Sequence, residues 1–242
     1  MIIGRGLIAS AFANDWQQDE KTAIIAAGVS NSAETDVATF SREENLLAGV
    51  LSTSVFERIV YFGSCAVGNP NEGKTPYLQH KARMESRILA DPRGHVFRLP
   101  QVVGAGGNPH TLTNFLSARI ASGEAFDVWA RAERNLIDID DVAILGTHIL
   151  RNPPGFPRLM SLADTRSTPM LEIVRCMEDV LGLRGNYAIL ERGGAFPIDT
   201  RDCQHAAMSC GIQLGEGYLG RLLEKYYAPR STHGGPDHHR GS

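Results

Sequence analysis

Within its first hundred residues the chain alternates short apolar runs with helical patterns, and this alternation constrains the fold more than any other feature. MII at 1–3, TAIIAA at 22–27, RIVYFG at 58–63 and HVFRL at 95–99 are rich in Ile, Val and aromatic residues, as buried strands are. Helix signals lie between them. Ser41 and Glu44 make a capping-box pattern ahead of NLLAGVL, and TPYLQHKARMESRIL carries apolar and charged residues at helical spacing to about Leu89. Strand, helix, strand in this order predicts parallel βαβ units, and so an α/β, Rossmann-like doubly wound sheet with helices on both faces.

The second half is less regular. Helices are expected at 110–120, 140–150, 202–211 and 217–228, and PRLMSLAD at 157–164 is expected to return a strand to the sheet. Thr168 as N-cap with Pro169 at the first helical position predicts another helix that stops at Gly182. The Gly-rich loop 104–109 is the expected boundary between a dinucleotide-binding part, 1–103, and a smaller, mainly substrate-binding part, 104–228. The tail 229–242 is polar and aperiodic and reads as disordered. Its histidines either hold a metal or belong to a floppy appendage.

Charge and cysteine usage exclude several functions. A net charge of -3 argues against a nucleic acid or an anionic membrane as the main partner, since either needs a basic face. No stretch of about 18 apolar residues offers a membrane span, and MIIGRG lacks the apolar run of a signal peptide. Cys65, Cys176, Cys203 and Cys210 show neither metal spacing nor a disulfide framework, so no metal site and a cytoplasmic location are expected. Arg outnumbers Lys by 20 to 4, which favours sites that grip planar anions such as phosphates.

Two motifs carry chemistry. GRGLIA follows the first strand directly, placing Gly4, Gly6 and Ala9 in a G-x-G-x-x-A arrangement whose backbone amides can approach a pyrophosphate at a helix N-terminus. The acidic residue expected about twenty positions later, for the ribose hydroxyls, is missing from IIAAGVSNS. Arg5 therefore faces either a 2′-phosphate or solvent. Further on, Tyr77 and Lys81 stand one helical turn apart, so the phenol and the ammonium can share a pocket. A fixed cation there would bring the phenol towards ionisation near neutral pH, making it an acid/base; the plainer reading is a surface helix with a solvated lysine.

These motifs, in this order, resemble the extended short-chain dehydrogenase/reductases, the NAD-dependent nucleotide-sugar epimerases, dehydratases and ketoreductases. GRGLIA resembles a shortened glycine loop, AAGVSNS the segment after the family's fourth strand, FSREENLL the long helix that follows, VYFGSCAVG the strand delivering the catalytic hydroxyl, and YLQHK the family's YxxxK. FRLPQVVGAGG and RNLIDIDDVA resemble the two substrate-side signatures, and the likeness extends to about residue 228.

The resemblance implies Ser64, Tyr77 and Lys81 as catalytic residues, with Lys81 binding the nicotinamide ribose. It implies a cofactor lined by Gly4, Arg5, Gly6, Leu7, Ile8, Ala27, Gly28, Val29, Pro100 and Val102, together with Tyr77 and Lys81. A nucleoside-diphosphate sugar would meet Gln101, Thr111, Leu112, Asn114 and Arg134, although Arg134 could instead pair with Asp138 or Asp141. NADP(H) is preferred on the strength of Arg5, with NAD(H) as the other choice.

The departures from the family set the direction of the chemistry. The chain reaches AAGVSNS within about thirty residues, so it lacks two strands that normally hold the adenosine, and a weak grip suits a reductase that exchanges its cofactor. Cys65 and Ala66 stand where dehydratases place a carboxyl pair, which disfavours dehydration; Cys65 is either an epimerase base or a buried thiol. The expected function is an NAD(P)H-dependent reductase of a nucleotide-linked keto-sugar in carbohydrate biosynthesis. The alternatives are an NAD-dependent nucleotide-sugar epimerase and a non-catalytic NADP sensor on the same fold. The family also implies a homodimer, with NLLAGVL at 45–51 as a contact surface unless that stripe faces the sheet.

Overall fold

The apolar runs become strands of one parallel sheet in the computed structural model, which describes residues 1–229 except Gly107 and His110. The tail from 230 to 242, with its histidines, and the expected helix start at His110 lie outside the described residues. The first half runs β1 (Ile2–Ile3), α1 (Leu7–Trp16), β2 (Thr22–Ile25), α2 (Val37–Ser52), β3 (Arg58–Ser64), α3 (Pro76–Ala90) and β4 (Gly94–Leu99). The second half runs β5 (Gln101–Val103), α4 (Leu112–Ser122), β6 (Phe126–Trp129), β7 (Glu133–Arg134), β8 (Leu136–Asp138) and α5 (Ile139–Arg151). It continues with β9 (Leu159–Ser161), β10 (Thr168–Pro169), α6 (Met170–Leu181), β11 (Tyr187–Leu190), α7 (Arg201–Cys210) and α8 (Tyr218–Tyr227).

The main sheet has the order β1-β2-β3-β4-β9, all parallel, and β9 is the expected return strand. Strand residues alternate between two cores. Ile24, Val60, Phe62, Phe97 and Leu99 face Phe12 and Trp16 of α1, Val142 and Leu145 of α5 and Ala206 of α7. Ala23, Ile25, Ile59, Tyr61 and Val96 face Leu47 and Val50 of α2 and Met84 and Ile88 of α3. Continuous apolar strands are what a sheet covered on both faces requires.

β1 to β4 step across the sheet in one direction, yet α1 lies on one face with α5 while α2 and α3 lie on the other. The β1–α1–β2 crossover therefore has the opposite hand to the next two. The link 17–21 feeds α1 directly into β2 and leaves the outer side of β1 without a partner strand among the described residues.

A second lobe is built on α4, α6 and α8, whose core joins Leu116, Ile120, Ile173, Met177, Leu222 and Leu223 with Phe126 and Val128. Three two-stranded sheets, β5 with β8, β6 with β11 and β7 with β10, stitch this lobe together. The side chain of Asn135 imitates a strand pair, donating to the Asp164 carbonyl and accepting from its N–H, at 2.9 and 3.1 Å.

Three local expectations need correction. The α2 cap is Asp36, which accepts from Ala38 N; Ser41 lies inside the helix, because the buried stripe Phe40, Glu43, Leu47 and Val50 begins upstream of it. The α6 N-cap is Pro169, while Thr168 is buried as the partner of Arg134 in the β10–β7 pair. In NLLAGVL, Leu47 and Val50 are buried against the sheet, so the stripe serves the core. Arg42, Asn45, Gln79 and Arg83 are exposed on the outer faces of α2 and α3.

Candidate active site

Gly4, Gly28, Ser64 and Pro100 lie at the C-terminal ends of the parallel strands, where open α/β sheets bind ligands. Gly4 ends β1 at φ +140°, and a β-carbon there would stand 2.4 Å from the Ala26 carbonyl oxygen, so only glycine allows this approach. Gly6 is the N-cap of α1 without a side-chain bond, the first turn has no acidic residue, and a β-carbon on Gly6 would meet nothing within 4 Å. Uncapped amides beside open space fit a diphosphate. Arg5 is exposed and forms no ion pair among the described residues.

Not every expected lining residue faces that space. Ile8 and Val102 pack against the main core, Val29 is buried against Phe40 and Tyr77, and Leu112 packs in the second lobe. Ala27 is exposed and Gly28 and Pro100 are half-buried. Leu7 abuts Gly104, where a β-carbon would come within 2.9 Å of it.

Ser64 ends β3 and caps the short turn after it, accepting from Ala66 N at 3.3 Å. α3 presents Tyr77, His80, Lys81, Met84, Glu85 and Ile88 on its buried face, so the solvated-helix reading fails. Ser64 lies beside the Tyr77 phenol and favours its ionised form. Burial nevertheless pushes Tyr77 up to about 12, aided by the Glu43 and Glu85 charges and only partly opposed by Ser64. Here the expectation of a phenol poised near neutrality is corrected. The Lys81 ammonium is turned to Glu43 Oε1 at 3.3 Å and to the Tyr61 hydroxyl at 2.9 Å, and it stands 6.0 Å from the Tyr77 ring centroid.

Cys65 is buried, and burial pushes its thiol up to about 12, against the pull of Ser161 and Arg98. A thiol so placed is no base near neutral pH, which leaves the buried structural thiol. All four cysteines are free.

On the substrate side, Gln101 is exposed on β5, whose register partner is Leu136, so β5 and β8 bring Gln101 near Arg134. Arg134 donates to the Glu133 carbonyl at 2.7 Å and pairs with neither Asp138 nor Asp141. Thr111 bonds the Asn108 carbonyl, and Asn114 clasps the same loop by donating to the Gly106 and Asn108 carbonyls. Tyr227 of α8 donates to the Asn114 side-chain oxygen at 2.7 Å.

Several working residues escaped sequence reasoning. Glu85 accepts from Arg98 Nε and Nη2 at 3.0 and 2.7 Å, bracing α3 against β4, and it fits only because Gly63 lacks a β-carbon. Glu43, Tyr61 and His80 form a buried group around Lys81. The available signal was Glu43 itself, a carboxylate in register with the apolar stripe Phe40, Leu47 and Val50.

No protein-family model matches the sequence, and no curated protein does. Solved structures share its fold. UDP-glucose 4-epimerase from Thermus thermophilus in complex with NAD superposes with a TM-score of 0.68 at 16% identity, over 90% of this chain and 81% of that one. The Bifidobacterium longum UDP-glucose 4-epimerase with NAD+ and UDP gives 0.65 at 18%, over 90% and 78%. A dTDP-glucose 4,6-dehydratase from Bacillus anthracis with NAD gives 0.65 at 15%, over 86% and 72%. The chain thus has the Rossmann-like α/β fold of nucleotide-sugar epimerases and dehydratases.

Proposed function

We propose that this protein is an NAD(P)H-dependent reductase of a nucleotide-linked keto-sugar. The observation that carries the reading is a buried Tyr77 beside Ser64 at the sheet edge that also holds the open glycine loop. A bound nicotinamide dinucleotide would supply the hydride. Tyr77 donates the proton to the carbonyl oxygen, Ser64 hydrogen-bonds that oxygen as charge develops on it, and Lys81 orients the ribose. Gln101 and Arg134, which forms no ion pair among the described residues, are the groups to receive the sugar nucleotide and its diphosphate. Arg5, exposed in the glycine loop, supports a preference for NADP(H) over NAD(H).

The second reading is an epimerase, favoured by the 4-epimerases among the structures that share the fold. Its first step needs a base to accept a proton from the sugar hydroxyl. A phenol held at about 12 stays protonated near neutral pH, so the form present is the donor and not the base, and the edge of β1, unpartnered among the described residues, favours cofactor exchange over retention.

Mixing the protein with NADPH and a panel of nucleoside-diphosphate 4-keto-sugars is expected to give net NADPH oxidation. Because the Tyr77 pKa is raised, its donating form persists through neutrality and is lost only as pH climbs towards about 12. The rate is therefore expected to be flat from about pH 6 to about pH 9. A rate that rises tenfold per pH unit across that range would make Tyr77 a base and contradict the assignment.

A further inference from the structure

Glu43 occupies a position that a helix packed on a sheet normally gives to an apolar side chain, and it is 3% exposed. Both carboxylate oxygens are engaged. Oε2 accepts from the Val29 N–H at 2.7 Å and faces His80 Nε2 at 3.0 Å. Oε1 accepts from the Tyr61 hydroxyl at 2.7 Å and from Lys81 Nζ at 3.3 Å, and Lys81 also donates to the Tyr61 oxygen at 2.9 Å. One carboxylate thus ties together the loop after β2, strand β3 and helix α3, the three segments that surround the Tyr77 site.

The neighbours are built around this group. A β-carbon on Gly28 would stand 2.7 Å from Glu43 Oε1 and 2.8 Å from Lys81 Nζ, so the loop backbone lies directly on the ion pair. His80 is fully buried and stacks on Phe40 at 4.6 Å between ring centroids. It meets Glu43 through Nε2, while Nδ1 faces Glu44 Oε1 at 3.6 Å, too far for a hydrogen bond. The groups facing Lys81 are Glu43 from α2, Tyr61 from β3, and Glu85 and Tyr77 from its own helix.

We propose that Glu43 is the positioning residue of this site: it holds the buried Lys81 ammonium charged and in place, and binds the Gly28–Val29 backbone to it. Burial lowers the affinity of Lys81 for its proton, while the Glu43 charge and hydrogen bond oppose that loss. In return Lys81, with the Val29, Tyr61 and His80 bonds, outweighs the burial of Glu43 and keeps its carboxyl below the usual range. A buried cation stripped of its counter-ion is costly, so removing the Glu43 charge must act on Lys81 first.

The inference rests on Lys81 working in the Tyr77 site, but its test reads the lysine itself. The chain has four lysines, Lys21, Lys74, Lys81 and Lys225, so side-chain 15N signals from labelled lysine can be titrated individually, with Lys81 assigned by its loss in Lys81→Met. In the unsubstituted protein Lys81 is expected to be charged at about pH 8, and Glu43→Gln is expected to lower its midpoint by at least about one unit, a tenfold loss of proton affinity. Tyr61→Phe, which keeps the carboxylate charge, should move it less.

A neutral Lys81 at pH 8 in the unsubstituted protein overturns the proposal, whether or not Glu43→Gln folds. So does an unchanged midpoint in a folded Glu43→Gln. A shifted midpoint in a protein that turns over no keto-sugar nucleotide would sink the reductase reading and leave the role of Glu43 standing.

Discussion

Tyr77→Phe is expected to lower kcat for NADPH-dependent ketone reduction by about 10²- to 10⁴-fold, the usual contribution of a positioned general acid. Dinucleotide affinity and thermal stability should stay close to their original values. The reason lies in how the ring is held. Tyr77 is 8% exposed and packs on Val29 and Phe40, contacts that phenylalanine keeps, so the substitution removes the hydroxyl and little else. The loss should appear in kcat rather than in KM, because the proton is transferred only in the transition state. Steady-state kinetics beside a dinucleotide binding titration separate the two. Equal kcat in both proteins would remove Tyr77 from the mechanism.

Phe12→Ala should cost about 3–5 kcal/mol of folding stability, the range for emptying a buried aromatic site. Phe12 is fully buried in α1, its ring centroid 5.4 Å from that of Phe62 on β3. It also fills the space that Gly146 of α5 leaves open, since a β-carbon there would lie 2.7 Å from the Phe12 ring. This one side chain therefore fastens the β1–α1–β2 crossover to the face that α1 shares with α5. Urea unfolding measures the loss, and a cost below about 1 kcal/mol would mean that α1 does not dock there. Because α1 begins at the glycine loop, the same substitution should also weaken dinucleotide binding.

The sequence made the main sheet legible where strands are buried on both faces, since Thr22–Ile25, Arg58–Ser64 and Gly94–Leu99 stand out as continuous apolar runs. The stitching strands were not legible. Glu133–Arg134 and Thr168–Pro169 are two residues each, too short for any period, and they pair where the flanking Ala132, Leu136 and Met170 join the core of the second lobe. Both misplaced helix starts have one cause. Ser41 and Thr168 satisfy local capping patterns, but tertiary packing set the α2 start at Asp36 and used Thr168 in a strand.

The spacing of Tyr77 and Lys81 predicted one shared helix face, and both are buried on α3, whereas Ser64 stood out only through the resemblance of VYFGSCAVG to the family's strand. The ionisation of Tyr77 could not be read from spacing. It depends on the depth of the pocket and on Lys81 having turned to Glu43, a residue 38 positions away in sequence. Spacing reports which groups can meet, whereas burial and competing partners decide which of them do.

The central claim is that hydride and proton are delivered to a ketone in one net reduction. Its most direct test is turnover with NADPH carrying deuterium at the transferring C4 position and a nucleoside-diphosphate keto-sugar, followed by mass spectrometry of the product. One deuterium in the sugar for each NADPH oxidised is the expected result. An isomerised sugar with no net NADPH oxidation, or a product without deuterium, would contradict it.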